Sequence, residues 1–225
     1  MNWGSLEVHR RQERNRAIKI SLSLFAAFLI VTEQVLTKSY LYHLDHWIKA
    51  LKRHTFRGTS SHLLLALDDL GLRSLTATCL ITTAVLLSLR FKSWRPLIFS
   101  LSALLLLNGV VGLAKIYFGR SKPRFNFDIV HSGAVGSYPS GHSSNALLTW
   151  GALAYLIYRY TKFGASRFLF LYSAVGLVTS TVCVVSLMRN THWFSDLLGG
   201  VFLGGSILVF LIAADRSWPS KKQPS

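Results

Sequence analysis

Three polar clusters interrupt an otherwise apolar chain, and their residue types suit one kind of chemistry. The first is Lys115-x6-Lys122-Pro123-Arg124. The second is Tyr138-Pro139-Ser140-Gly141-His142-Ser143, and the third is Arg189-Asn190-Thr191-His192-x3-Asp196. Lys115, Lys122 and Arg124 gather positive charge that suits a tetrahedral anion. Ser140 and Gly141 precede an expected helix, whose free backbone N–H groups would face an anion, and Gly141 lets the backbone approach closely. His192 and Asp196 are four apart, so on a helix they share a face. Asp196 can then accept from one ring nitrogen of His192 and leave the other as a nucleophile. His142 comes from a different segment and could protonate a leaving alkoxide. Two histidines, one carboxylate and a basic cradle make a phosphoryl-transfer site that needs no metal. Zinc is the rival use of two histidines with an aspartate. The basic residues crowding the clusters argue against it by repelling the cation, so neither a metal nor another cofactor is expected.

Positioning these groups falls to long apolar runs, since a bilayer core needs roughly 20 helical residues. The runs are 20–36, 74–89, 97–118, 145–158, 168–188 and 197–214, the fourth being the weakest. They predict an all-α polytopic membrane bundle of about six transmembrane helices, a single domain over 1–225. The third and fifth spans end, and the fourth and sixth begin, on one membrane face. All three clusters therefore converge there, between 115 and 196. A polar residue at membrane depth is expensive and is a functional candidate by default.

Composition agrees. Of 225 residues 51% are hydrophobic and 15% charged, against about 25% charged in average globular chains. This excludes an ordinary soluble domain and, equally, a disordered chain. The net charge is +16, which raises nucleic acid as a partner. The charges instead flank spans. A basic segment over 1–19 includes Arg10, Arg11, Arg14, Arg16 and Lys19. Arg90, Lys92 and Arg95 follow the second span, Arg159, Lys162 and Arg167 the fourth, and Arg216, Lys221 and Lys222 the sixth. The positive-inside rule then places both termini in the cytoplasm, and a nucleic-acid partner is not expected, because no basic stripe forms. The first run is too long for a cleaved signal peptide and lacks a small-residue cleavage site.

Between 40 and 72, Leu41, Leu44, Ile48 and Leu51 recur at helical spacing among Lys49, Lys52 and Arg53. This predicts an interfacial amphipathic helix, which either covers the bundle or gates substrate. Leu63 to Leu67 dips toward the bilayer before Asp68-Asp69-Leu70-Gly71. Gly200 and Gly204 predict close helix packing. Cys79 and Cys183 have no metal-ligand spacing and read as small buried hydrophobes.

The clusters resemble the type 2 phosphatidic acid phosphatase superfamily, the membrane lipid-phosphate phosphatases. The family's motifs are KxxxxxxRP, PSGH and SRxxxxxHxxxD. PSGH is complete at Pro139 to His142 and HxxxD is complete at His192 and Asp196. The resemblance implies that His192 forms a phosphohistidine with Asp196 orienting it, and that His142 is the acid for the leaving group. Lys115, Lys122, Ser140 and Gly141 would hold the phosphate. Two positions depart from the pattern. The first motif's arginine is Lys122, which keeps the charge without the bidentate fork, and Arg120 or Arg124 is the candidate to compensate. The third motif's Ser-Arg pair is Val185-Ser186, and Arg189 is expected to take over the phosphate contact.

The resemblance implies a membrane phosphatase acting on a lipid phosphate or pyrophosphate. A transferase passing the group to another lipid, and a weakly catalytic binding or transport protein on the same scaffold, are the alternatives. The compact chain suits a bacterial plasma-membrane protein with an outward-facing site, while its oligomeric state stays open. Asn126, Asp128 and His131 read as solvated loop. His9, His43, His46, His54 and His62 read as surface or interfacial, and Trp193 as an interfacial aromatic.

Overall fold

The computed structural model describes residues 3–51, 59–125, 136–161 and 165–217. Asn126, Asp128, His131, Lys52, Arg53, His54, Lys162, Lys221 and Lys222 lie outside them, as do the side chains of His9, Arg10 and Arg167. Every expected apolar run is a helix. They are α1 (Trp3–Leu36), α4 (Arg73–Phe91), α5 (Arg95–Phe118), α6 (Gly141–Tyr160), α7 (Ala165–Met188) and α8 (Phe194–Ser217). Two shorter helices, α2 (Tyr40–Ala50) and α3 (Thr59–Asp68), and a single 3-10 turn, Asp69–Gly71, connect α1 to α4. Five of the six long helices are long and apolar enough to cross a membrane.

The sixth, α6, has no stretch that apolar and lies inside the bundle. Ser143, Ser144, Asn145 and Thr149 are all buried on it. Three of them bond back to their own preceding turn, Ser143 and Ser144 Oγ donating to the Ser140 carbonyl at 3.4 and 2.9 Å and Asn145 Nδ2 to that of Gly141 at 2.8 Å. Such local bonds satisfy short polar side chains without water.

Two glycines of α8 let α6 come close. A Cβ on Gly200 would lie 2.2 Å from Ser143 Oγ and 2.5 Å from the Ser140 carbonyl oxygen, and one on Gly204 would lie 2.9 Å from that of Ser144. The small-residue spacing thus serves backbone approach. On the other side, α8 packs along α1, where Ser21 and Ser206 each donate a hydroxyl to the other's carbonyl at 2.9 Å. At one end of the bundle, Asp215 of α8 gathers Arg95 of α5 at 3.2 Å and Arg159 of α6 at 2.8 Å. Tyr155 Oη donates to the same carboxylate at 2.6 Å. The three polar clusters lie at the opposite end.

Candidate active site

The end of α5 carries the first cluster. Gly119 takes the left-handed conformation at φ 52° and closes the helix, as helix C-termini favour. Chain 136–140 then folds back onto this end. Gly136 N–H donates to the Lys115 carbonyl at 3.1 Å and Ser137 N–H to that of Arg120 at 2.6 Å. A Cβ on Gly136 would lie 2.4 Å from the Arg120 nitrogen, so only glycine fits. Ser140 N–H donates to the Asp196 carbonyl at 2.9 Å, tying the second cluster to the third. Ser140 also caps α6, its side chain accepting from Ser143 N–H. The first N–H groups of a helix have no helical partner, and here Gly141 and His142 carry them. The Lys115 ammonium stands over this end, 3.7 Å from where a Gly141 Cβ would be. Lys122 is near enough for its charge to act on Lys115.

The two histidine rings are neighbours, inclined at 57° with centroids 6.0 Å apart. His192 is buried, and its Nδ1 lies 3.4 Å from Asp196 Oδ2. That is long for a hydrogen bond, and catalytic contacts of this kind tighten when the reacting group is bound. With Nδ1–H directed at Asp196, Nε2 is left with its lone pair. Asp196 also accepts the Trp193 N–H at 3.1 Å. All of Lys115, Lys122, Ser140, Gly141, His142, His192 and Asp196 thus lie around the N-terminus of α6.

Behind His192 lies a network that the sequence reading missed. The Asp196, Arg120 and Asp45 side chains are each 0% exposed. Arg120 Nη1 reaches Asp196 Oδ1 at 3.2 Å and donates to Ser195 Oγ at 2.7 Å, while Nη2 donates to Asp45 Oδ2 at 2.9 Å. Asp45 accepts in addition from Ser195 N–H at 2.8 Å and Ser195 Oγ at 2.5 Å. Burial pushes the Asp45 carboxyl above the ordinary carboxylate value, and the Arg120 guanidinium offsets part of that rise. Arg120 therefore serves carboxylates behind the site and does not compensate for the missing motif arginine. Arg124 is exposed and lies over the Phe125 ring at 5.0 Å. One sequence signal could have revealed Asp45. It falls on the apolar stripe of α2, four residues after Leu41 and three before Ile48.

Arg189 sits at the rim, 30% exposed, and pairs with Asp68, whose side chain is 4% exposed. Ser186 Oγ donates to the other Asp68 oxygen at 2.7 Å. The vacant motif position and the expected substitute thus meet on one carboxylate from α3. Trp193 corrects its interfacial reading. It is buried, with Nε1 donating to the Ser121 carbonyl at 2.8 Å and Arg120 4.9 Å from its ring. His46 lies 5.0 Å from the same ring at a 49° tilt and is half-buried, whereas His43 and His62 are exposed.

A sequence model of the PAP2 superfamily matches residues 96–218. Over 107 residues the chain is 32% identical to phosphatidylglycerophosphatase B of Bacillus subtilis (strain 168), covering 48% of this chain and 50% of the relative. Over 117 residues it is 32% identical to lipid A 1-phosphatase of Porphyromonas gingivalis, covering 51% of this chain and 23% of that one. The chain thus spans half of the first relative's length and less than a quarter of the second's. The crystal structure of a transmembrane PAP2-type phosphatidylglycerolphosphate phosphatase from Bacillus subtilis superposes with a TM-score of 0.77. That match has 21% identity and covers 90% of this chain and 98% of the other. At that identity the likeness establishes the fold, a multi-pass membrane helix bundle.

Proposed function

The chain belongs to the PAP2 superfamily, and on that premise we propose that it is a membrane phosphatase hydrolysing a lipid phosphate or pyrophosphate monoester without a metal. The observation that carries the reading is the pair of neighbouring imidazoles, ring centroids 6.0 Å apart, one of them backed by Asp196. His192 Nε2 attacks phosphorus and the ester oxygen leaves, taking a proton from His142. Water then attacks the phosphohistidine, with His142 as base, and releases phosphate. Lys115, Lys122 and the first N–H groups of α6 oppose the charge spread over the phosphoryl oxygens. Arg189 adds a guanidinium at the rim. The named relatives act on lipid phosphates, which favours a substrate of that class.

The basic residues Arg90, Lys92, Arg95, Arg159 and Arg216 lie at the end of the bundle away from the site. By the positive-inside rule that end is cytoplasmic, so the site opens on the extracytoplasmic side of a plasma membrane. The test is phosphate release from a panel of lipids in vesicles. Phosphatidic acid, phosphatidylglycerol phosphate, an isoprenoid pyrophosphate and lipid A are compared, with lipid acceptors present to detect transfer. Release from at least one, abolished by His192→Ala, supports the reading. No release and no transfer from any of them contradicts it.

A further inference from the structure

The start of α6, which carries His142, is met by a segment from outside the three clusters. Asp68 ends α3, and the 3-10 turn Asp69–Gly71 that follows lies directly on the start of α6. A Cβ on Gly71 would lie 2.7 Å from the His142 carbonyl oxygen and 3.0 Å from Val182 Cγ1 of α7. Trp150 Nε1 of α6 donates to the Leu70 carbonyl at 2.8 Å, a second clamp on the same turn. The Asp68 carboxylate, one residue before that turn, is held against the end of α7, accepting from Ser186 Oγ and pairing with Arg189.

An acid can give up a proton only after it has held one. His142 must be an imidazolium in a mostly buried place, close to the His192 ring and beside the positive charge of Lys115; burial above all, and then both neighbours, disfavour that charge. Of the charges around the His142 ring, that of Asp68 acts on it most strongly. The departure from the family pattern also makes sense here. With serine at 186, a hydroxyl faces the carboxylate and Arg189 holds it from the rim.

We propose that Asp68 is a positioning residue for the leaving-group half of the site, holding a counter-charge for His142 and anchoring Arg189, as Asp196 does for His192. This rests on the reading of His142 as the general acid.

The test compares leaving groups, using the full chain in lipid nanodiscs. An alkyl phosphate lipid needs a proton on its departing oxygen, whereas 4-nitrophenyl phosphate does not. Asp68→Asn should lower kcat on the alkyl ester about 10²-fold, within the range for lost acid catalysis. On the nitrophenyl ester the loss should stay within about threefold, and Asp68→Glu should recover part of the alkyl rate. Equal losses on both esters, or no loss, overturn the inference. If Asp68→Asn does not fold, the double variant Asp68→Asn/Arg189→Gln is compared with Arg189→Gln alone, so that loss of the guanidinium from the phosphate site cancels and the same discrimination between esters is read. His142→Ala separates the two claims. If it discriminates between esters and Asp68→Asn does not, only the role of Asp68 falls. If His142→Ala does not discriminate either, the acid assignment falls and takes the inference with it.

Discussion

Removing Asp45 should displace His192, a residue with which it shares no hydrogen bond. Its carboxylate accepts three hydrogen bonds, two from Ser195 and one from Arg120, in a fully buried position. Asp45→Ala leaves the guanidinium with Asp196 as its remaining carboxylate and unpairs the Ser195 N–H at the start of α8. Breaking a buried pair from one side costs about 3–5 kcal/mol. Asp45→Asn keeps an acceptor for the Ser195 N–H but turns a donor toward Arg120, so it should cost about 1.5–3 kcal/mol, the worth of a hydrogen bond to a charged group. The effect on rate follows from Asp196, which is next to Ser195 and shares Arg120. A shift of about 1 Å in the His192–Asp196 pair would lower kcat about 10²-fold. Denaturation in detergent and phosphate release from nanodiscs measure the two effects. Should Asp45→Ala stay within about 0.5 kcal/mol of the parent with unchanged kcat, the network has no role in placing His192.

Gly136→Ala should lower the melting temperature or abolish folded yield, because its Cβ meets backbone at 2.4 Å. Gly141→Ala meets only Lys115 at 3.7 Å and should melt like the parent; the reverse order would refute the packing argument. Chelators should leave phosphate release intact if lysine and arginine charges do the work of a cation, and activity lost to chelator and restored by Mg²⁺ would contradict that. Arg189→Ala should lower turnover, with Arg189→Lys restoring part because the planar fork is lost; near-normal turnover in well-folded Arg189→Ala would remove it from the phosphate site.

The long helices were legible because lipid imposes a coarse rule, about 20 apolar residues per span. Even the weak fourth run was found, although its buried serines, Asn145 and Thr149 depress its hydropathy. Motif spacing placed His142, His192 and Asp196 together because helical periodicity and topology allow little else. Asp45, Asp68 and the inward turn of Arg120 were not legible. Each acts across at least 75 residues of sequence, and although Asp45 falls on the apolar stripe of α2, nothing local says which partners meet it there. Trp193 was misread for the same reason. An aromatic beside a membrane end looks interfacial until Arg120 and Ser121 are seen to enclose it.

The most direct test of the account is the covalent intermediate. Protein in nanodiscs is mixed with a lipid phosphate carrying labelled phosphorus and quenched within a turnover. The account predicts label bound to the chain, stable to alkali, lost in acid and mapping to His192, with none in His192→Ala. Hydrolysis that persists in His192→Ala, or label that resists acid and maps to another residue, would contradict it.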